Sequence, residues 1–113
     1  MKVFILEDLP DRQEAFREKF KGYEKLTICD NVDDSKQALL DDYYELICLD
    51  HDLGGKAFVD SNYYNTGYTL AKFILENNIK SKVVIHSLNP VGAKNIKFIL
   101  PEAEIYPGFW AVR

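Results

Sequence analysis

What the chain lacks narrows it first. It has no run of about 18 or more apolar residues, which excludes a membrane-spanning helix. No cationic leader precedes an apolar segment, so no secretory signal is expected and a cytoplasmic protein is. There is no basic stripe. With a formal charge of -4, the chain has no surface suited to neutralising the phosphates of a nucleic-acid duplex. Cysteine is scarce: Cys29 and Cys48 both sit in apolar, strand-like runs and are expected to be buried thiols. Internal repeats and low-complexity segments are absent. The rest is ordinary for a soluble globular protein. The 113 residues suit a single domain over 1–113, and 47% hydrophobic with 28% charged residues is enough for one core.

Against that background one stretch stands out, Glu45–Gly55, ELICLDHDLGG. Leu46–Leu49 is apolar without alternation, as in a strand buried on both faces of a parallel sheet. It turns abruptly into Asp50-His51-Asp52, and Gly54-Gly55 marks a sharp turn beyond. Three ionisable groups in a row have no packing use and are costly to bury. They stand at the carboxyl end of a strand, where open α/β sheets place their ligand sites.

Taken in order, Lys2–Leu6 predicts a strand ending in Glu7-Asp8, and Pro10 opens a helix through Lys21 that Gly22 can end. Lys25–Cys29 predicts a second strand. Asp33 or Asp34 can cap a helix carrying Ala38, Leu39 and Leu40. After the central strand comes a polar, aromatic loop, Lys56–Asn65, longer than an ordinary connection. Thr66 can cap a helix with Leu70, Ala71, Ile74 and Leu75 at helical spacing, ending at Asn77-Asn78. Lys82–Ile85 runs straight into His86-Ser87-Leu88-Asn89, Pro90 opens a helix through Leu100, and Ala103–Tyr106 predicts a fifth strand before the aromatic tail 109–113.

Strict alternation of strands and helices implies a three-layer, doubly wound parallel sheet with right-handed crossovers, and the flavodoxin-like order 2-1-3-4-5 is expected. In that order Glu7, Asp8, Asp50 and Asp52 gather at the switch point, and His86, Ser87 and Asn89 join the same crevice. Both histidines of the chain therefore fall at adjacent strand ends. Two imidazoles can serve as general base and general acid across one phosphorus centre, and Asp50 or Asp52 could orient His51. Glu7, Asp8 and Asp50 form a hard-oxygen cluster of the kind that holds Mg2+. Ser87, Asn89 and the following helix N-terminus can donate to a phosphate oxygen. Capping by Asn89 ahead of Pro90 is compatible with that role. Tyr63, Tyr64 and Tyr68 could stack on a base or sugar.

With these residues in view, the chain resembles the receiver domains of two-component signalling over nearly its whole length. Glu7-Asp8, LICLDHDLGG, Gly67 and Ser87 carry the likeness. The resemblance implies a phosphoacceptor position at Asp50, a metal-binding acidic pair at Glu7 and Asp8, and a switch hydroxyl at Ser87. It departs in three places, one being the DHD and HSLN elements, which ordinary receivers lack. Where receivers end strand five with a lysine, this chain reads Ile105-Tyr106-Pro107-Gly108, and the last receiver helix is missing. LEDLPDR, LDHDLGG, TGYTLA and VIHSLN together are similar to a divergent branch, the cyclic-phosphate-processing receiver-like domains. That likeness implies a phosphoesterase acting on a cyclic phosphate or related phosphorylated nucleotide. Its site would comprise His51, His86, Asp8, Asp50 and Asn89, with Asp52 in support. The alternative is a non-catalytic signalling or binding module with Asp50 as phosphoacceptor. The missing helix would leave apolar strand surface beside the first helix, so a homodimer is expected.

Overall fold

The computed structural model describes residues 1–112. Five parallel strands form one sheet: β1 (Lys2–Leu6), β2 (Lys25–Cys29), β3 (Leu46–Leu49), β4 (Lys82–Ile85) and β5 (Glu104–Ile105). Their order is β2-β1-β3-β4-β5, as the alternating pattern predicts. The helices are α1 (Pro10–Lys19), α2 (Val32–Asp41), α3 (Gly67–Glu76) and α4 (Pro90–Ile99). No helix among the described residues is long and apolar enough to cross a membrane.

The central strands β1, β3 and β4 are buried on both faces, so their alternate residues feed two separate cores. Phe4, Leu6, Ile47, Leu49 and Ile85 face α2, α3 and α4. Val3, Ile5, Cys48 and Val84 face α1, where Phe16 and Phe20 cover them. Both cysteines are free; Cys48 is buried as expected, whereas Cys29, on the edge strand β2, is only half-buried, and loss of water pushes both thiols up.

Helix starts follow the local chemistry, with one difference. Thr66 and Asn89 cap α3 and α4 as expected. Helix α2 is capped by Asn31 rather than by Asp33 or Asp34. Asn31 is extended, and its side chain accepts from Asp34 N at 2.8 Å, which places both aspartates inside the first turn.

After β5 the described residues form a single 3-10 turn, Phe109–Ala111, labelled η1. Phe109 and Trp110 fold back onto the α1 side of the sheet and pack against the second core. The apolar surface that motivates a dimer is thus covered, at least in part, from within the chain. Arg113, the end of the aromatic tail, lies outside the described residues.

Candidate functional site

The carboxyl edge of β1, β3 and β4 continues its ladder one residue past each strand. Glu7 N donates to Cys29 O, Asp50 N to Leu6 O and His86 N to Leu49 O, at 3.0 to 3.1 Å. The register pairs Leu6 with Leu49 and Leu49 with Ile85. One step on, Glu7, Asp50 and His86 therefore lie side by side on the α1 face. Each presents a ligand-type atom, all within 4.8 Å of one another.

All three are withdrawn from water. Burial pushes the Glu7 carboxyl above its ordinary value, against the Leu9 N–H and Arg12, which pull it down. Burial likewise pushes Asp50 up to about 7, with His86 opposing and Glu7 adding to the rise. For His86 burial disfavours the cation and lowers its pKa to about 4. Its Nε2 lies 3.1 Å from Glu7 Oε1, and Nδ1 has no hydrogen-bond partner among the described residues. The ring is packed by Phe16 and Trp110, with centroids 4.9 and 5.7 Å away.

His51 falls on the opposite face. It is fully buried beneath α4, so close that a Cβ on Gly92 would lie 2.4 Å from its Cγ. Asp52 Oδ1 lies 2.8 Å from Nδ1, and Ser61 Oγ lies 2.8 Å from Nε2. Asn95 in turn donates to Ser61 Oγ at 2.9 Å. These contacts are satisfied with Nδ1–H donating to Asp52 and Ser61 donating to Nε2. His51 thus ties the 56–65 loop to the sheet. Asp52 also accepts from Phe58 N, Val59 N and Asn89 Nδ2 at 2.7 to 3.1 Å. Burial raises the Asp52 pKa, but the bonds from His51, Asn89 and the loop outweigh that and hold it below the ordinary carboxylate range.

Between these two networks lies an open crevice of about 300 Å3. Asp8, Asp50, Asp52, Ser87 and Asn89 line it, as the sequence predicts; neither histidine does. The expectation that both imidazoles face one phosphorus centre is not met, because strand alternation sends His51 and His86 to opposite faces of the sheet. The predicted acidic trio is also rearranged. Glu7 and Asp50 stay together, whereas Asp8 Oδ2 accepts from Gly55 N at 2.6 Å. Ser87 Oγ accepts from Asn89 N at 3.0 Å and keeps a proton to donate. The Asn89 amide is engaged at both ends, by Gly92 N and by Asp52.

Tyr63, Tyr64 and Tyr68 do not reach this crevice. Tyr64 and Tyr68 line a separate groove between α2 and α3 with Lys36 and Lys72. The aromatic ring at the crevice is Phe58, 76% exposed, with φ at 54°. Sequence reasoning also missed Arg12 and Lys56, the two cations on the lining. Arg12 had a legible signal, since Pro10 starts α1 from the same edge of the sheet and places it in the first turn.

A Mg2+ ion would find suitable carboxylate donors in Glu7 and Asp50, which lie close together, with Arg12 Nη1 4.0 Å from Glu7 Oε1 as the neighbouring cation. The third group of that cluster is an imidazole nitrogen, a softer donor better suited to zinc or iron.

The fold and this edge define a receiver-type domain. The receiver domain of the Francisella response regulator 1452 superposes with a TM-score of 0.72 at 17% identity, covering 95% of this chain and 83% of that one. The response regulatory domain of mrkE from Klebsiella pneumoniae gives 0.72 at 20% identity, over 96% and 83%. Thermotoga maritima TrrA, solved in complex with Mg(2+)-BeF, gives 0.71 at 15% identity, over 94% and 84%. No curated protein matches the chain. Residues 1–102 match the cyclic-phosphate processing receiver domain, and the chain belongs to that family.

Proposed function

We propose that the crevice binds a cyclic phosphate or a related phosphorylated nucleotide and opens or hydrolyses its phosphoester. Asp50 is the group that exchanges a proton with the ligand. The observation that carries this reading is the placement of Asp50. It lines the crevice beside Ser87, and its burial moves its carboxyl up to about 7, where an acid–base group works at neutral pH. Asp50 takes a proton from the water that adds to phosphorus, the bond from phosphorus to one ring oxygen breaks, and Asp50 passes the proton to that oxygen, which leaves a phosphomonoester. Ser87 donates to a phosphoryl oxygen, and Phe58 offers a planar surface for a base.

The histidines act from behind. His86 holds Glu7 next to Asp50, and His51 holds Asp52 and the loop that carries Phe58. A Mg2+ ion held by Glu7 and Asp50 would supply positive charge against the phosphoryl oxygens and would keep Asp50 a carboxylate, so the proton exchange belongs to the metal-free site.

A 2′,3′-cyclic nucleotide offered to wild type and to Asp50→Asn tests the reading: wild type yields monoester and the variant does not. Uptake of phosphate onto Asp50 from a small phosphodonor, without turnover, would instead support a signalling module.

A further inference from the structure

We propose that Arg12 is the anion-holding group of the crevice and that Trp110, in the C-terminal turn, is its positioning residue. This rests on the reading of the crevice as a phosphate site. Arg12 lines the crevice together with Asp50 and Ser87, with its side chain 24% exposed. The guanidinium carbon lies 4.3 Å from the centre of the Trp110 ring, a cation–π contact that fixes the plane from one side. Glu7 Oε1 is 4.0 Å from Nη1, a charge contact too long for a hydrogen bond. Neither contact is a conventional hydrogen bond, so both partners hold the guanidinium without taking one of its N–H donors in one. Those donors form a fork that matches two oxygens of a phosphate. The other cation on the lining, Lys56, is an exposed residue of the loop with no comparable support.

Trp110 is held in turn. Its ring meets Phe16 and His86 edge-on at 6.3 and 5.7 Å. The neighbouring Phe109 packs on Tyr106 and Phe20, under the ammonium of Lys19 at 4.2 Å. The turn that ends the described chain therefore supports one residue of the crevice lining, Arg12, from behind. A pre-oriented arginine loses less freedom when it binds than a free one.

Trp110 is the one tryptophan of the chain, so its emission reports directly on Arg12. The experiment titrates inorganic phosphate, with and without Mg2+, into wild type, Arg12→Ala, Arg12→Lys, Trp110→Phe and Trp110→Leu, with affinity read by calorimetry and melting checked for each. Wild type is expected to bind phosphate with a change in tryptophan emission. Arg12→Ala should bind at least about tenfold more weakly, with no emission change, and should recover in part with added free guanidinium. Arg12→Lys should recover little, because a point charge cannot replace the fork. Trp110→Phe should stay within about threefold of wild type, because a flat ring remains, while Trp110→Leu should weaken binding without unfolding. Wild-type affinity in Arg12→Ala would overturn the role of Arg12 and leave the phosphate site standing. Wild-type affinity in Trp110→Leu would overturn the positioning role. If wild type binds no phosphate under either condition, the phosphate site itself fails, and this assignment with it.

Discussion

His86 Nε2 lies 3.1 Å from Glu7 Oε1, and both side chains are fully buried. Burial pushes Glu7 up and His86 down, so each is driven toward its uncharged form. A single shared hydrogen bond then holds the floor of the crevice under Asp50. Glu7→Gln preserves a partner for Nε2 and should leave stability within about 1 kcal/mol of wild type. Glu7→Ala strips the remaining partner from an imidazole whose Nδ1 has none among the described residues, and should lower stability by about 2–3 kcal/mol. Denaturant unfolding of the two variants distinguishes these outcomes.

Asp50 should make stability depend on pH in a defined direction. Its carboxyl moves from an ordinary 3.8 to about 7. Between those values the unfolded chain has lost the proton while the native state still holds it. Wild-type stability therefore falls as pH rises through that window, and the loss is complete above about 7. Asp50→Asn cannot titrate. Its advantage over wild type should grow with pH, by at most about 1.4 kcal/mol per unit, and level off at mildly alkaline pH. Added Mg2+ should raise the melting temperature of wild type and not of Asp50→Asn, because a cation stabilises the ionised carboxylate. Thermal melts across pH, with and without the ion, measure both effects.

Gly92 is required by contact rather than by backbone freedom. An added Cβ would lie 2.4 Å from His51 Cγ. Gly92→Ala should displace the imidazole, release Asp52 and Ser61, and lower stability by about 2 kcal/mol. The specific readout is hydrogen exchange. The amides of Phe58 and Val59, which donate to Asp52, should lose protection, while those of β1 should not.

Phe58 combines exposure with a backbone conformation that side chains avoid. Phe58→Gly relieves that strain, so the melting temperature should hold or rise. Affinity for a phosphorylated nucleotide should fall by about fivefold to tenfold, the loss of one stacking contact. Inorganic phosphate binding should not change. Equal weakening of both ligands would place the ring's contribution in the loop rather than on a base.

The sequence made much of this legible. Unalternated apolar runs at 2–6, 46–49 and 82–85 marked strands buried on both faces, and the strict α/β order left one sheet topology to expect. The acidic residues of the crevice followed from strand ends alone. The histidines did not, because their faces depend on register. Leu49 pairs with Ile85, which makes Asp50 and His86 neighbours and sends His51 to the other side. A relation between strands is not written in either strand. Arg12 was hidden for a similar reason: its importance comes from Trp110, nearly the whole chain away.

The account turns on Asp50 exchanging a proton with a phosphoester at the sheet's edge. The most direct measurement follows a 2′,3′-cyclic nucleotide by phosphorus NMR with wild type, Asp50→Asn and His86→Ala. The account predicts a monoester product from wild type, a rate at least about a hundredfold lower in Asp50→Asn, and a smaller loss in His86→Ala. Equal rates in wild type and Asp50→Asn, or an unchanged substrate with wild type, would contradict it.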